Sequence, residues 1–189
     1  MKKKYIKKNK IRIISGIFKG HNIFITKKYN IKPTQNIIRE TLFNWLNPII
    51  KNATCLDCFA GTGALSIEAI SRSAKLATLI ELNYHVFKKI KFNLNRLKIS
   101  NAKIFNKNIY SFLNQKGKKY DIIFIDPPFY KKMVDQTIYL INKNQWSQKN
   151  TYIYIETHIT DIIKNIPKNW ILYRKKKIGK IFSYLYIQN

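Results

Sequence analysis

From about residue 53 onward, apolar segments with two different periods alternate along the chain. Short runs rich in β-branched and aromatic residues, such as "ATCLDCF" and "YDIIFID", are typical of buried strands. Longer segments between them, such as "HVFKKIKFNLNRLK", place apolar residues three and four positions apart, as in a helix that packs on one side. This alternation predicts an α/β fold: a doubly wound, mostly parallel, seven-stranded sheet with ligands at the carboxyl ends of its strands.

Both ends of the chain depart from this alternation. Ile11–Ile25 predicts a small hairpin, and "KPTQNIIRETLFNWLNP" predicts a helix with Thr34 as its N-cap. In the tail, "WILYRKK" and "IFSYLYIQ" are separated by only a short basic turn, which favours an antiparallel pair over another crossover. We therefore expect an N-terminal extension over residues 1–50, with a basic tail, hairpin and helix, and one globular domain over residues 51–189.

The charge of the chain points to a polyanionic partner. The 189 residues carry a formal net charge of +27, and lysines near phosphates bind in a salt-sensitive way because they displace counterions. An alternative is that AT-rich codons produced much of the excess of Lys, Ile, Asn and Tyr. No apolar run is long enough to cross a bilayer, and no secretory signal pattern follows the basic start, so we expect a cytoplasmic protein with no membrane partner.

Two cysteines, Cys55 and Cys58, have the spacing of redox and zinc motifs. On a strand, positions i and i+3 point to opposite faces, which is poor geometry for a disulfide. A zinc site needs further ligands, and the three histidines lie far apart in sequence. We therefore expect both cysteines to be small core residues, and no metal.

The first candidate site is a glycine turn between a strand and a helix, in "LDCFAGTGALSIEA". Gly61 and Gly63 let a ligand approach the backbone, and Glu81, about 20 residues on, is placed to accept both hydroxyls of a ribose. The turn lacks the lysine of a triphosphate-binding loop. A nicotinamide dinucleotide fits this pattern, but Asp57 would repel its pyrophosphate. The same carboxylate suits the cationic amino-acid end of S-adenosylmethionine, which we therefore favour.

The second candidate site is the tetrapeptide Asp126–Phe129, "DPPF", at the end of a strand that should reach the same edge of the sheet. The Asp126 carboxylate and the Pro127 carbonyl can both accept hydrogen bonds from one exocyclic amine. Proline donates no competing N–H and holds that carbonyl stiffly, and Phe129 can stack on an extruded base. A turn that only caps the next helix is the structural alternative. The chemistry favours methylation of an amine.

Several segments together resemble one known family. They are "IRIISG…KG", "KPTQNIIRETLFNWL", "CLDCFAGTGALSIEA", "LIE", "SFLNQKG", "DIIFIDPPF" and "IYIET", in this order, within about Ile11 to Ile187. They resemble the bacterial RsmD family of S-adenosylmethionine-dependent enzymes, which methylate guanine N2 in 16S ribosomal RNA, at position 966. The resemblance implies a class I methyltransferase fold, RNA binding and a part in rRNA processing.

The resemblance also implies roles for individual positions. The cofactor would be held by Asp57, Phe59, Ala60, Gly61, Thr62, Gly63, Glu81 and Asn108. The guanine would be held by Asp126, Pro127, Pro128 and Phe129, while Thr34 and Arg39 would close over cofactor or base. The chain is too short for a separate target-recognition domain. We therefore expect a monomer that recognises 16S ribosomal RNA within an assembled or assembling small subunit.

Three other functions stay open on the sequence. A DNA adenine or cytosine amine methyltransferase would share both candidate sites but usually needs extra structure to read a sequence. A dinucleotide oxidoreductase would use the glycine turn and Glu81 but gives the DPPF tetrapeptide no role. A non-catalytic RNA-binding assembly factor would need only the lysines, and its function would survive the loss of Asp126.

Overall fold

The computed structural model describes residues 10–25, 36–128 and 133–189. Within these ranges the chain forms fourteen helices and strands, which alternate regularly from residue 54 to residue 158. In chain order they are β1 (Lys10–Arg12), β2 (Asn22–Phe24), α1 (Asn36–Leu46), β3 (Thr54–Asp57), α2 (Ala64–Ser71), β4 (Leu76–Ile80), α3 (Tyr84–Arg96), β5 (Ala102–Phe105), α4 (Ile109–Leu113), β6 (Ile122–Ile125), α5 (Val134–Lys143), β7 (Tyr152–His158), β8 (Trp170–Ile178) and β9 (Ile181–Gln188).

Seven strands form one twisted sheet in the order β5-β4-β3-β6-β7-β9-β8. The five strands from β5 to β7 are parallel, and β9 and β8 add an antiparallel end. The chain winds outward in one direction through β3, β4 and β5, and in the other through β6 and β7. The strand order therefore reverses between β3 and β6, and a doubly wound sheet binds its ligand in the crevice at such a point.

The central strands are apolar along their whole length because helices cover both faces of the sheet. One core cluster lies under α1, α2 and α3 and includes Cys55 and Phe124. The other lies under α4 and α5 and includes Cys58 and Ile125. Both cysteines are buried and free, Cys55 on β3 in the first cluster and Cys58 just after β3 in the second, which confirms that they are core residues.

The hairpin of β1 and β2 docks on α2 and α3 by hydrogen bonds from helix side chains to its backbone. The buried amide of Asn93 bonds both the N–H and the C=O of Phe24, at 3.0 and 2.8 Å, as a neighbouring strand would. Gly16 has φ +82°, and a Cβ on it would lie 1.7 Å from the Ser71 carbonyl oxygen. Only glycine therefore allows the hairpin to approach α2 this closely.

The structure confirms the predicted α/β class, the seven-stranded sheet and the antiparallel tail. The predicted hairpin is present and short: β1 and β2 have three residues each, two main-chain hydrogen bonds at Ile13 extend the pairing, and a loop with two positive-φ glycines joins the strands. The predicted helix cap at Thr34 lies outside the described residues. In the part of the chain that the structure describes, no helix is long and apolar enough to cross a membrane.

Candidate active site

The carboxyl ends of four parallel strands bring polar side chains to one edge of the sheet. Asp57 is the last residue of β3, and Glu81 directly follows β4. Asn108 lies in the connection after β5, and Asp126 directly follows β6. Parallel strands end at the same edge, so residues distant in sequence line the crevice at the switch point between β3 and β6.

The glycine turn connects β3 to α2 and is held by main-chain hydrogen bonds. The N–H of Ala60 donates to the Ile80 carbonyl at 2.9 Å, and the N–H of Gly63 donates to the Ala60 carbonyl at 2.7 Å. Gly61 and Gly63 have φ values of +53° and +76°, a region in which glycine is favoured. The Thr62 hydroxyl accepts the N–H of Ala64 at 3.3 Å. The turn thus opens directly into the first residues of α2.

Asp57 is the buried charge of this site. Its side chain is 1% exposed, and its Oδ2 accepts a 2.7 Å hydrogen bond from the Ser66 hydroxyl on α2. Burial raises the pKa of Asp57 to about 7; the Ser66 hydroxyl and the Phe59 N–H lower this pKa, and the charge of Asp126 raises it further. Its Oδ1 has no hydrogen-bond partner among the described residues. A buried acceptor without a partner costs free energy, so this site favours a cationic donor.

Glu81 closes the turn from the neighbouring strand. One of its carboxylate oxygens accepts the N–H of Gly61 at 2.9 Å, and the other accepts the N–H of Asn83 at 2.7 Å. Burial raises the pKa of Glu81, while these two N–H donors and the N–H of Leu82 lower it. A carboxylate has about four acceptor positions. Glu81 therefore keeps acceptor capacity for a ligand, and it also fixes the shape of the glycine turn.

Asn108, at the end of the next connection, is the N-cap of α4. Its side-chain oxygen accepts the N–H of Tyr110 at 2.8 Å. This bond fixes the side chain at the edge that carries Asp57 and Glu81.

The DPPF tetrapeptide begins in the crevice. Asp126 is half-buried, Pro127 is buried and Pro128 is exposed. Phe129 lies outside the described residues. The charge of Asp126 raises the pKa of Asp57, so the two carboxylates lie within electrostatic reach of each other across the switch point.

A second buried carboxylate, Glu156, lies beside Asp126 and was not predicted. Ile125 pairs with Ile155 in the parallel register, so Asp126 and Glu156 occupy the next level of adjacent strands. Glu156 is 3% exposed, and its Oε2 accepts a 3.0 Å hydrogen bond from the Tyr154 hydroxyl. The motif "IYIET" contains this residue, but only the strand register shows that it neighbours Asp126.

Arg39, a predicted contact to cofactor or base, has a fully buried side chain between α1 and the hairpin. Its Nη2 donates to the Arg12 carbonyl at 3.0 Å, and its Nη1 lies 3.9 Å from Oε2 of Glu68. Burial lowers the pKa of Arg39 and the Glu68 charge raises it, so the guanidinium stays charged. Thr34, the other residue predicted for this role, is outside the described residues.

A family model described as "Conserved hypothetical protein 95" matches residues 11–187, nearly the whole chain. The chain belongs to this family, the RsmD family of methyltransferases. Ribosomal RNA small subunit methyltransferase D of Buchnera aphidicola subsp. Acyrthosiphon pisum is 48% identical over 189 residues, covering 99% of this chain and 98% of the relative. The protein of the same name from Escherichia coli K12 is 44% identical over 176 residues, covering 93% and 89%.

The solved structures agree with this family. The Escherichia coli protein yhhF is 43% identical, and its structure superposes with a TM-score of 0.89, covering 95% of this chain and 98% of that one. The fold is therefore the Rossmann-like class I methyltransferase fold, as the sequence predicts.

Proposed function

We propose that this protein is an S-adenosylmethionine-dependent methyltransferase that modifies the N2 amine of a guanine in small-subunit ribosomal RNA. The observation that carries the proposal is the pair Asp57 and Asp126 at the switch point. Asp57 has a buried carboxylate oxygen, Oδ1, that can accept a hydrogen bond from a ligand, and Asp126 is followed directly by Pro127 with its rigid carbonyl. The names of the relatives at 48% and 44% identity support ribosomal RNA as the substrate. Position 966 of 16S RNA, implied by the family resemblance, is the specific target that we propose.

The residues at the edge fit this cofactor. Oδ1 of Asp57, which has no partner among the described residues, would accept a hydrogen bond from the ammonium group of the methionine moiety. The turn from Phe59 to Gly63 would leave room for the cofactor, and Glu81 would accept the ribose hydroxyls. Asn108 would lie beside the adenine. S-adenosylmethionine supplies an electrophilic methyl group on a sulfonium centre.

The chain's own residues would position and polarise the target amine. The Asp126 carboxylate and the Pro127 carbonyl would each accept one N–H of guanine N2, which turns the nitrogen lone pair out of conjugation with the ring. Proline donates no N–H, so the backbone of Pro127 does not itself compete for these acceptors. Pro128 would hold the turn, and Phe129 would stack on the base. Positioning of this kind can lower the reaction barrier by on the order of 7–11 kcal/mol. No general base is required, because the methylated amine becomes acidic and loses its proton to water.

The proposed substrate is a folded RNA particle. Extruding a base costs a few kcal/mol and costs least where the base is unpaired, which favours a loop guanine. The described residues form one sheet with its helices and a small docked hairpin, without a second folded unit to read a sequence. We propose that the protein acts as a monomer in which residues 1–50 extend the methyltransferase domain. We also propose that it recognises the surface of an assembled or assembling small subunit.

The test is transfer of labelled methyl from S-adenosylmethionine to small ribosomal subunits, protein-free ribosomal RNA and duplex DNA. Asp126→Ala should abolish transfer and leave cofactor affinity within a few-fold, while Asp126→Asn should lose less, because an amide oxygen still accepts one bond. Asp121→Asn is the matched control. Asp121 directly precedes β6 and therefore lies at the opposite edge of the sheet from Asp126, where its carboxylate accepts the N–H of Thr54 at 2.7 Å.

The outcomes separate the alternatives. Label in guanine of the subunits, with wild type and Asp121→Asn but not Asp126→Ala, supports the proposal. Label in DNA alone would identify a DNA amine methyltransferase. Full activity of Asp126→Ala would refute the proposed role of the DPPF tetrapeptide, and tight RNA binding without any transfer would indicate an assembly factor.

A further inference from the structure

The edge strand β8 is exposed along almost its entire length. Each residue from Ile171 to Lys177 is exposed, although strands of this fold usually bury at least one face. Four of these residues, Arg174–Lys177, are consecutive cations; we call them the β8 cationic strand. Between Ile162 and Asn189 the sequence contains seven Lys and Arg residues and no Asp or Glu, so no nearby acidic side chain in this segment neutralises the strand.

The strand register places these cations level with the DPPF tetrapeptide. Lys176 pairs with Ser183 on β9, and Ser183 pairs with Glu156 on β7. Glu156 is in turn level with Asp126, one residue beyond the last pair of β6 and β7. Three strand spacings of about 4.8 Å separate Lys176 from Asp126, which is roughly 14 Å. At 3.4 Å per stacked nucleotide this distance is roughly four nucleotides.

Aromatic rings hold the lysines of one face in place. Lys175 and Lys177 are opposite Tyr184 and Phe182, and their ammonium groups lie 5.1 to 5.5 Å from the centroids of these rings. Phe182 and Tyr184 stack on each other at 5.9 Å. Such contacts orient an ammonium group without neutralising its charge, so it stays available to an anion.

The remaining two cations of the strand are also oriented. The guanidinium of Arg174 lies 4.0 Å from the Tyr173 ring centroid and donates to the Tyr173 carbonyl at 3.0 Å. On the opposite face, Lys176 donates to the Thr41 hydroxyl of α1 at 3.4 Å. All four positive charges are thus oriented on the edge strand, three strand spacings from Asp126.

We propose that the β8 cationic strand, with Lys175 and Lys177 on the rings of Phe182 and Tyr184, binds the phosphate backbone of the RNA that flanks the target base. This inference rests on the proposed function and specifies where the substrate's backbone lies. An alternative is that the charges only prevent edge-to-edge pairing of β8, a common use of lysine on edge strands. The two readings differ, because edge protection needs charge of either sign, whereas phosphate binding needs positive charge.

The test compares two pairs of lysines. Lys175→Gln with Lys177→Gln removes two charges from the β8 cationic strand. The matched control, Lys88→Gln with Lys91→Gln, removes two charges from α3, where each lysine also lies over an aromatic ring, at 4.6 Å (Tyr84) and 5.6 Å (Phe87). A third variant, Lys175→Glu with Lys177→Glu, keeps charge on the edge but reverses its sign. Binding of a fluorescent RNA hairpin with a loop guanine is measured against salt, and methyl transfer against the concentration of small subunits.

For the β8 pair we expect a weaker affinity and a smaller salt dependence. Each phosphate contact contributes roughly 0.7–0.9 to the slope of log K against log salt, so two contacts lower the slope by about 1.4–1.8. At 0.1 M salt this is a loss of up to roughly 25- to 60-fold in affinity. The KM for subunits should rise accordingly while kcat stays within about twofold, since the DPPF tetrapeptide is untouched. The Glu pair should bind more weakly still.

Several results would overturn the inference. Equal losses for the β8 pair and the α3 pair would show that only total charge matters. Unchanged RNA binding by the β8 pair, with aggregation on size exclusion that the Glu pair does not show, would establish edge protection instead. The binding measurement needs no methyl transfer. A wild type that binds RNA through β8 but transfers no methyl would therefore refute the proposed function and leave this surface supported.

Discussion

The replacement Glu68→Gln should destabilise the protein strongly, because the carboxylate of Glu68 is the buried acceptor that joins the hairpin to α2. Its Oε2 accepts the N–H of Ile14 at 2.8 Å and lies 3.9 Å from Nη1 of Arg39. Its Oε1 accepts the N–H of Ser15 at 3.0 Å and Nε of Arg72 at 2.9 Å. A glutamine keeps one acceptor oxygen and turns an NH2 group toward the other donors, and the buried guanidinium loses its countercharge.

The expected size of the effect follows from these contacts. Removing one partner of a buried ion pair costs about 3–5 kcal/mol, since the other charge stays buried and unpaired. A buried N–H without an acceptor costs about 1–3 kcal/mol, but the losses share one carboxylate and do not add. We therefore expect a loss of about 3–5 kcal/mol in the free energy of unfolding. For a chain of this size that loss lowers Tm by about 6–20 °C.

The assay is urea unfolding combined with hydrogen exchange at the amides of Ile14 and Ser15. Both amides should exchange fastest in Glu68→Gln, because the hairpin is released before the sheet unfolds. Glu40→Gln is the matched control: it removes the same charge from an exposed position next to Arg39, and should change the free energy of unfolding by less than about 0.5 kcal/mol.

A double variant tests whether the guanidinium is the cause. Adding Arg39→Met to Glu68→Gln removes the unpaired buried charge, so the double variant should be more stable than Glu68→Gln alone, with a coupling of about 0.5–3 kcal/mol. Losses that simply add, or a Glu68→Gln protein within about 1 kcal/mol of wild type, would refute the reasoning. If the stabilised double variant has normal methyl transfer, Arg39 only docks the hairpin. If transfer is lost, Arg39 contacts cofactor or base as the sequence predicts.

Two further predictions concern the cofactor site. The pKa of Asp57 is about 7, so its carboxylate is roughly tenfold more populated at pH 8 than at pH 6, and S-adenosylhomocysteine should bind roughly tenfold more tightly at pH 8. The same raised pKa means that Asp57 destabilises the free protein as pH rises from about 4 to about 7. Asp57→Asn should abolish both trends in calorimetry, and an unchanged pH dependence would count against this carboxylate. Glu81→Ala should weaken binding roughly tenfold or more, since it removes a charged acceptor for the ribose and the acceptor of the Gly61 N–H; unchanged binding would place the ribose elsewhere.

The sequence predicted the sheet and its functional edge because both follow from local rules. Periods of 2 and 3–4 residues distinguish strands from helices, and parallel strands must end at one edge. Asp57, Glu81 and Asp126 were therefore predicted to meet, although they come from three separate strands. The structure places them at that edge. The roles predicted for individual side chains stay predictions.

The docking of the hairpin could not be predicted, since it depends on contacts between distant residues. Ile14 and Glu68 are 54 positions apart, and Phe24 and Asn93 are 69 apart. In the sequence Glu68 looks like a solvated helix charge, yet every residue of α2 is buried. The place of Glu156 in the site was missed for the same reason. Polar and apolar residues alternate around it in the sequence, but this pattern does not show which strand lies beside it.

The distribution of charge explains how a strongly basic protein can select a base rather than a phosphate. Asp57, Glu81, Asp126 and Glu156 lie at one edge of the sheet, where their combined field repels phosphate groups. A neutral base with amine donors meets no such repulsion. If the flanking RNA backbone is held at the β8 cationic strand, roughly 14 Å away, the target nucleotide lies at the crevice, where its base can approach Asp126 while its phosphates are repelled. Attraction of the RNA backbone to the β8 cationic strand and repulsion of phosphates from the crevice therefore both favour the extrusion of a base toward Asp126.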